Sequence, residues 1–317
     1  MSIASAPFNK PSADLILQTS DNFQFNVWKV ILMEASIVFA DMFTLDEIPH
    51  GSASDGAASH QAPAVKLTET SAALDGFLRM CYPPPHPTFT SIDALRSVMA
   101  VAHKYQADGV FQVLKEALVR NFAATQPVLV YAIAVYFDLA NVARTAARHF
   151  LAVPSPAPPP PSELSEDINV AGAYQRLLAY RRQCSDAISD MVQSRLAWLP
   201  QGAWQFLTCT HCPPSAVTSF YPGSSGSGQP LPAHAQVPRM WFWNHHERMG
   251  ELLRERPCAA ALKRPSLLEQ GIVEVAPTCG NCRFSAPRLL RLFNKELGKE
   301  VRRRIAQVSS PWFSGPR

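Results

Sequence analysis

The segment "NVWKVILMEASIVFADMF", residues 26–43, constrains the fold more than any other part of the sequence. Just before it and at its start, Phe23, Phe25 and Val27 alternate with polar residues, which is the period-2 pattern of a strand with one buried face. After Lys29, two adjacent rows of mostly apolar residues recur at helical spacing; they are Ile31, Ala35, Val38 and Met42, and Leu32, Ser36, Phe39 and Phe43. Two adjacent rows give a wide apolar face, so we predict a helix buried in a domain centre or against a second subunit.

Composition and cysteine usage favour an intracellular globular protein. A hydrophobic fraction of 47% with 17% charged residues supports real cores, and 317 residues leave room for roughly two domains. The N-terminal segment lacks the basic region and apolar core of a secretory signal, and the longest apolar run, 127–137, is shorter than the roughly 20 residues of a membrane helix. Seven cysteines in a long chain suit reduced thiols or metal ligands. We expect a cytoplasmic or nuclear protein that is neither secreted nor in a membrane.

Loops and proline-rich stretches divide the chain. Residues 49–64 are small, polar and aperiodic, which predicts a surface insertion. Residues 91–150 are helical in pattern throughout, and "PSPAPPPP" after them predicts an extended spacer. A long amphipathic helix is predicted over residues 163–200, followed by a second gap at 213–238.

Residues 13–122 carry a set of motifs, and the first of them runs from the predicted strand into the predicted helix. It consists of Asp14, Leu15, Leu17, Phe25, Val27, Lys29, Leu32, Ala35, Ser36, Phe39, Met42 and Phe43. This pattern resembles that of a BTB/POZ domain. Further along, "LDGFLRMCY" resembles the family's helix that ends in an aromatic residue. "LRSVMAVAHKYQADGVFQVLKEALVRNF" resembles its closing helical pair with an A-x-K-Y element.

The resemblance implies an α+β BTB/POZ fold for residues 10–123, in which helices flank a small mixed sheet. We assign residues 124–153 to a helical pair that extends this domain and residues 154–165 to a Pro-rich linker. Residues 166–317 then form a mainly α-helical C-terminal domain, which carries paired cysteines and the loop 213–238.

The resemblance also implies protein–protein interaction, with homodimerisation through the N-terminal strand and first helix. The residues expected at the dimer or partner interface are Asp14, Trp28, Lys29, Leu32, Phe39, Met42 and Phe43. Asp14 and Lys29 match a charged pair that the family places near its dimer groove. A simple cap at the sheet edge is the alternative role for Lys29.

The sequence departs from the family pattern at three places. Trp28 stands where the family usually has His, and Ile37 stands where it often has Pro. The strand that normally follows the "CY" helix is replaced by proline-rich sequence at 83–89, so we expect a truncated or rearranged sheet edge.

Four cysteines in two C-x2-C pairs are candidate metal ligands: Cys209 and Cys212, and Cys279 and Cys282. Two such pairs suit one tetrahedral zinc ion with four thiolate ligands. The two pairs are farther apart than the roughly 15 to 20 residues of usual zinc sites. Because the donor set suits zinc, one structural zinc ion is the expected cofactor, with disulfides or incidental thiols as the alternatives.

Basic residues concentrate at the C-terminal end of the sequence. Residues 283–317 hold nine Lys or Arg and two Glu, a local charge of +7, whereas the whole chain carries +4. Arg302, Arg303 and Arg304 form the densest run. Such a basic amphipathic helix suits nucleic acid, an anionic membrane or an acidic partner, and a helix packed on its own domain with a solvated cationic face is the alternative.

We therefore expect a non-enzymatic interaction or scaffold protein that binds itself, or other BTB proteins, through its BTB domain. Some BTB proteins recruit a cullin ubiquitin-ligase scaffold through the domain and a helical pair after it, a place that residues 127–150 occupy here. A helix pair that only completes the core of the domain is the alternative for these residues. A cullin substrate adaptor is thus one alternative, and a nucleic-acid-associated transcriptional regulator is another. Catalysis is not expected, because the sequence shows no phosphate loop, nucleophile elbow or metal-hydrolase motif.

Overall fold

A computed structural model describes residues 2–46, 62–157, 168–194, 197–199, 240–275 and 280–308. These residues form two compact units. The first takes the described residues through Ile133 together with Ile168, and the second takes the others from Ala134 onwards. The domain boundaries drawn from the sequence stay predictions.

The first unit contains the predicted mixed sheet and its flanking helices. Its elements in chain order are β1 (Ser2–Ile3), β2 (Leu15–Gln18), β3 (Phe23–Val27), α1 (Lys29–Ala35), α2 (Ile37–Asp46), β4 (Ala64–Lys66), α3 (Ser71–Cys81), α4 (Ile92–Lys104) and α5 (Asp108–Phe122). The sheet order is β1-β3-β2-β4, with β2 and β3 antiparallel and both outer pairings parallel. The predicted α+β fold class is confirmed.

The hairpin of β2 and β3 follows the predicted alternation. Leu15 lies opposite Val27, and Leu17 lies opposite Phe25. All four side chains are buried, because residues two apart in a strand point to the same face of the sheet. This face forms one wall of the core of the first unit.

The continuous helix predicted after Lys29 is wrong at Ser36, which separates α1 from α2. Ser36 has an extended backbone (φ −146°, ψ 124°) and so ends α1. Its buried hydroxyl donates a hydrogen bond to the carbonyl of Tyr105 at 2.5 Å and accepts one from the backbone N–H of Phe39 at 3.1 Å. A serine oxygen that binds the N–H three residues ahead is an N-terminal helix cap, so the same residue starts α2.

Tyr105 connects the end of α4 to three other parts of the first unit. Its carbonyl accepts from Ser36, and its ring stacks on Phe39 with centroids 4.5 Å apart. Its hydroxyl donates to Glu69 at 2.9 Å, and Lys104 also binds the Glu69 carboxylate. Burial opposes ionisation of Glu69, but these hydrogen bonds hold its pKa below the usual value.

The proline-rich sequence after α3 forms no strand. Residues 83–90 have no regular secondary structure, and the sheet of the first unit has four strands within the described residues. Proline lacks the backbone N–H that a sheet ladder needs, which accounts for the shortened edge.

A carboxylate from the hairpin turn caps α3. Ser71 is the first residue of this helix, and Thr70 before it makes no side-chain cap. The Asp21 carboxylate instead accepts from the backbone N–H of Ser71 at 3.0 and 3.1 Å and from its hydroxyl at 2.6 Å. A negative charge suits the N-terminus of a helix.

The second unit is mainly helical, as predicted. It contains α7 (Ala140–Leu151), α8 (Val170–Gln193), α9 (Met240–Glu255), a 3-10 turn (Ala261–Lys263), α10 (Pro265–Val275) and α11 (Gly280–Gln307), while α6 (Pro127–Tyr136) spans the division between the units. Within the described residues, no helix has the length and apolar character needed to span a lipid bilayer.

Two of the last helices, α9 and α11, bury an apolar face in the core of the second unit. Trp241, His245, Met249 and Leu252 of α9 are buried, and so are Leu290, Phe293, Leu297 and Val301 of α11. His245 Nε2 lies 2.8 Å from Asn294 Oδ1, and burial lowers the pKa of this imidazole. The aromatic segment of α9 therefore packs inside its own unit.

Replacing Asp21 with Asn should lower the urea midpoint of unfolding at pH 7, because an amide is a weaker acceptor than a carboxylate. Hydrogen bonds from Ser71 and Thr19 hold the Asp21 pKa below its usual value of 3.8. A lowered pKa gives stability that is complete above the unfolded-state pKa and lost as the pH falls through the folded-state pKa. Urea midpoints from circular dichroism over a pH series should show the two proteins converging in acid.

Asp41, exposed on α2, provides the control. Asp41→Asn should leave the midpoint unchanged across the series. A deficit in Asp21→Asn that persists undiminished in strong acid would contradict the capping role.

Candidate interaction surface

Asp14 positions the N-terminus of α1. Its carboxylate accepts a hydrogen bond from the backbone N–H of Lys29 at 2.8 Å, and Trp28 before the helix makes no side-chain cap. The first N–H groups of a helix have no partner within the helix, so an acceptor from a neighbouring segment replaces the missing cap. Asp14 thereby ties the start of α1 to the start of β2.

Lys29 contributes to this junction in a different way from the charged pair that was expected. Its ammonium nitrogen lies over the Phe43 ring, 5.6 Å from the centroid, at cation–π distance. Among the described residues, no ion pair joins this ammonium to Asp14. The structure therefore brings the two residues together through the backbone of Lys29.

Trp28 lies half-buried where β3 meets α1. Its backbone N–H donates to the Tyr82 hydroxyl at 3.0 Å, and the Tyr82 ring packs edge-on against Phe8 with centroids 5.1 Å apart. Burial is the main cause that raises the Tyr82 pKa, so the hydroxyl keeps its proton. Because only the backbone of Trp28 makes this hydrogen bond, any residue other than proline can provide it at this position.

The other predicted interface residues differ in exposure. Leu32, Phe39 and Phe43 are buried in the core of the first unit, and Met42 is half-buried. The three buried side chains therefore pack within their own unit. Asp14, Trp28, Lys29 and Met42 keep some surface to offer a partner.

The strongly exposed apolar residues of this region are ones that sequence reasoning did not select. Ile3 on β1 is 64% exposed, Val30 and Met33 on α1 are 62% and 37% exposed, and Ile37 on α2 is 55% exposed. We call these four residues the apolar face. Each of these side chains would gain free energy if the apolar surface of a partner covered it.

A groove borders the apolar face. It has a volume of about 590 Å³ and is lined by residues that include Val30, Ile31, Tyr82, Pro83 and Pro84. Cys81 also lines it, and burial raises the pKa of this thiol to about 12, so the thiol is protonated and uncharged at neutral pH. Most of the other lining residues are apolar, and Glu34 and His86 add polar groups, so the groove suits a mainly hydrophobic contact.

The cysteine pairs lie mostly outside the described residues. Cys209, Cys212 and Cys279 fall there, whereas Cys282 is buried in the first turn of α11. Within the part of the chain that the structure describes, no three His, Cys, Asp or Glu side chains are grouped to hold a metal ion.

The basic run of α11 is divided by Glu300. This carboxylate pairs with Arg303 and with Arg304, the latter at 2.9 Å, and these contacts lower its pKa. The Arg302 side chain points to a different side of the helix from Glu300 and lines two concavities of the second unit. The three predicted arginines are therefore not one patch.

Comparison with known proteins agrees with the mixed sheet and its flanking helices. Residues 7–122 match the family model of the BTB/POZ domain. No curated protein matches the chain. The first unit thus contains a BTB domain, and the second continues as a mainly helical region.

BTB domains are protein-interaction modules and are not typically enzymes; they commonly dimerise or bind other proteins, including cullins. The match covers neither the cysteine pairs nor the basic helix. The domain therefore implies a role in protein–protein interaction.

Proposed function

We propose that the chain is a non-enzymatic scaffold protein that self-associates through the apolar face of its BTB domain. The observation that carries the proposal is the exposure of Ile3, Val30, Met33 and Ile37 on the strand and helices that the family uses to dimerise. In a two-fold dimer each such residue is buried twice, once on each subunit. Other BTB domains that present a similar face are the alternative partners.

Asp14 and the buried residues of α1 and α2 have an indirect part in this proposal. Leu32, Phe39 and Phe43 fix the helices to the core, and Asp14 fixes the start of α1. They determine where Val30 and Met33 lie without contacting the partner copy. Trp28, Lys29 and Met42, which are partly exposed, border the proposed contact.

Val30→Lys should convert the proposed dimer, of twice 34.9 kDa, into monomer. Burying a valine contributes about 1.5 kcal/mol or more, and the two-fold axis counts it twice, so the dissociation constant should rise on the order of a hundredfold. Light scattering after size exclusion, over a concentration series, measures the change.

The matched control is Val113→Lys on α5, because Val113 is 49% exposed in the same unit. This variant adds the same charge away from the apolar face and should leave the mass unchanged. A monomeric wild type, or equal dissociation of both variants, would contradict the proposal.

A cullin ubiquitin-ligase scaffold is the second candidate partner. Its support is the pair α6 and α7, which follows the matched domain at the place where cullin-binding members carry such a pair. However, Val130, Tyr131 and Ile133 of α6 are fully buried, which favours a packing role for that helix. Binding of a purified cullin by the wild type and by Val30→Lys alike would separate this role from self-association.

The nucleic-acid hypothesis has less support. Arg303 and Arg304 are both paired with Glu300, so two of the three arginines behind the hypothesis carry a nearby counter-charge. Glu300 would also repel phosphates that approach these two arginines.

We further propose that Cys209, Cys212, Cys279 and Cys282 hold one structural zinc ion. The donor set fits, because four thiolates are a common ligand set of structural zinc. The burial of Cys282 near the start of α11 also fits a structural role. Thiolate ligands need a reducing compartment, which suits the cytoplasm or nucleus as the proposed location.

Native mass spectrometry of the purified protein should find about one zinc ion per chain, and Cys282→Ala should lose it, because three thiolates leave a tetrahedral site open. Cys184→Ala is the control. Cys184 is a buried cysteine on α8 whose pKa burial raises to about 11, so a protonated thiol is expected there. Metal-free wild type, or loss of zinc from both variants, would remove the zinc proposal.

A further inference from the structure

Two neighbouring concavities of the second unit share Ala259, Lys263 and Arg302 in their walls. Their volumes are about 490 and 840 Å³. We call them together the cationic groove. The walls come from α7, the 3-10 turn with the residues beside it, and α11, with smaller contributions from α8 and α10.

Basic side chains line the cationic groove along its whole length. The smaller concavity has Lys263, Arg264, Arg291, Lys295 and Arg302 in its wall. The larger one adds Arg144 and Arg148 from α7. No Asp or Glu lines either concavity.

These cations are not neutralised within the described residues. No ion pair there includes Lys263, Arg291 or Arg302. Arg144 donates to the Asn141 side chain at 2.6 Å, which is an uncharged acceptor. Like charges that line one concavity repel one another, so an anion in the groove would relieve this repulsion as well as form new contacts.

Apolar residues also line the groove. Leu262, Leu268 and Gly298 lie in the smaller concavity, and Leu151, Ile305 and Val308 lie in the larger one. The ligand must therefore offer apolar groups as well as negative charge.

This combination favours peptide over nucleic acid. Proteins that bind single-stranded nucleic acid combine a basic groove with exposed aromatic rings on which bases stack. The one aromatic residue in the described walls is Tyr180, which is 7% exposed. A groove lined by both aliphatic and cationic side chains suits a peptide segment that mixes Asp or Glu with Leu or Val.

We propose that the cationic groove binds an acidic, partly apolar peptide segment of a partner protein. This gives the second unit a binding activity of its own, beyond the self-association proposed for the BTB domain. Lys263 and Arg302 are central to it, because both line the two concavities.

Fluorescence anisotropy of the full-length protein with a short labelled peptide that alternates Glu with Leu and Ser tests the proposal. Lys263→Ala/Arg302→Ala should weaken binding roughly tenfold, since the variant removes two partly exposed ion pairs with the peptide. Added salt should weaken wild-type binding as well.

The matched control is Lys299→Ala/Arg303→Ala. It removes the same two charges from α11, but Lys299 is paired with Glu296 at 2.8 Å and Arg303 with Glu300. Binding by this control should stay near the wild-type value. If both double variants lose binding equally, general charge attraction is responsible and the proposal is overturned.

Two further results would overturn the proposal. The first is that the wild type fails to bind the peptide. The second is that a single-stranded oligonucleotide of equal charge binds more tightly than the peptide through the same two residues. Light scattering on Lys263→Ala/Arg302→Ala reports self-association separately, so the groove and the BTB interface can fail independently.

Discussion

Two aspartate carboxylates on one β-hairpin hold the N-termini of two helices, and the first unit depends on these contacts. Asp14, just before β2, binds the first N–H of α1, and Asp21, in the turn, binds the first residue of α3. Neither helix has a side-chain cap of its own. The register of β2 with β3 is fixed by buried apolar pairs, so the hairpin is a firm base from which the helices start.

The break at Ser36 divides the α1–α2 segment into two helices, which together carry buried core residues and exposed residues. A continuous helix would present one face throughout, but the extended backbone at Ser36 lets α1 and α2 point in different directions. Tyr105 holds the break in place by accepting from Ser36 and stacking on Phe39. The A-x-K-Y element that the sequence shares with the family thus has a physical role, because its Lys and Tyr side chains join Glu69 and its Tyr supports the Ser36 junction.

Local patterns were enough to predict the elements, whereas contacts between distant residues decided their details. Alternation predicted β3, and helical spacing predicted the helical segment after Lys29 and the long helix that includes α8. The caps from Asp14 and Asp21 and the break at Ser36 were not predicted, because their partners lie 15, 50 and 69 positions away. Which apolar residues of α1 and α2 face outward was also hidden, since apolar residues occur on several sides of both helices.

The spacing of charged residues in the sequence was enough to separate the two paired arginines of α11 from Arg302. Glu300 precedes Arg303 by three residues and Arg304 by four, the spacings at which helical side chains meet, while Arg302 follows Glu300 by only two. The two paired arginines and the groove-lining one could therefore have been distinguished without a structure. The walls contributed by α7 and the 3-10 turn could not, because nothing local relates residues 144 and 148 to residue 302.

The apolar face and the cationic groove belong to different units, and their chemistry suits different partners. An apolar face can be covered by the same face of another copy, because two identical patches bury each other under a two-fold axis. A cationic groove repels its own copy and therefore selects a ligand of opposite charge.

A dimer formed through the apolar face would carry two copies of the cationic groove. A partner with repeated acidic segments would then bind the second groove at a high effective concentration, so that modest affinity at each groove becomes strong attachment overall. The proposed self-association would therefore strengthen the weak charge-selective contact proposed for the groove, and this would be a physical reason for joining a BTB domain to a basic helical region.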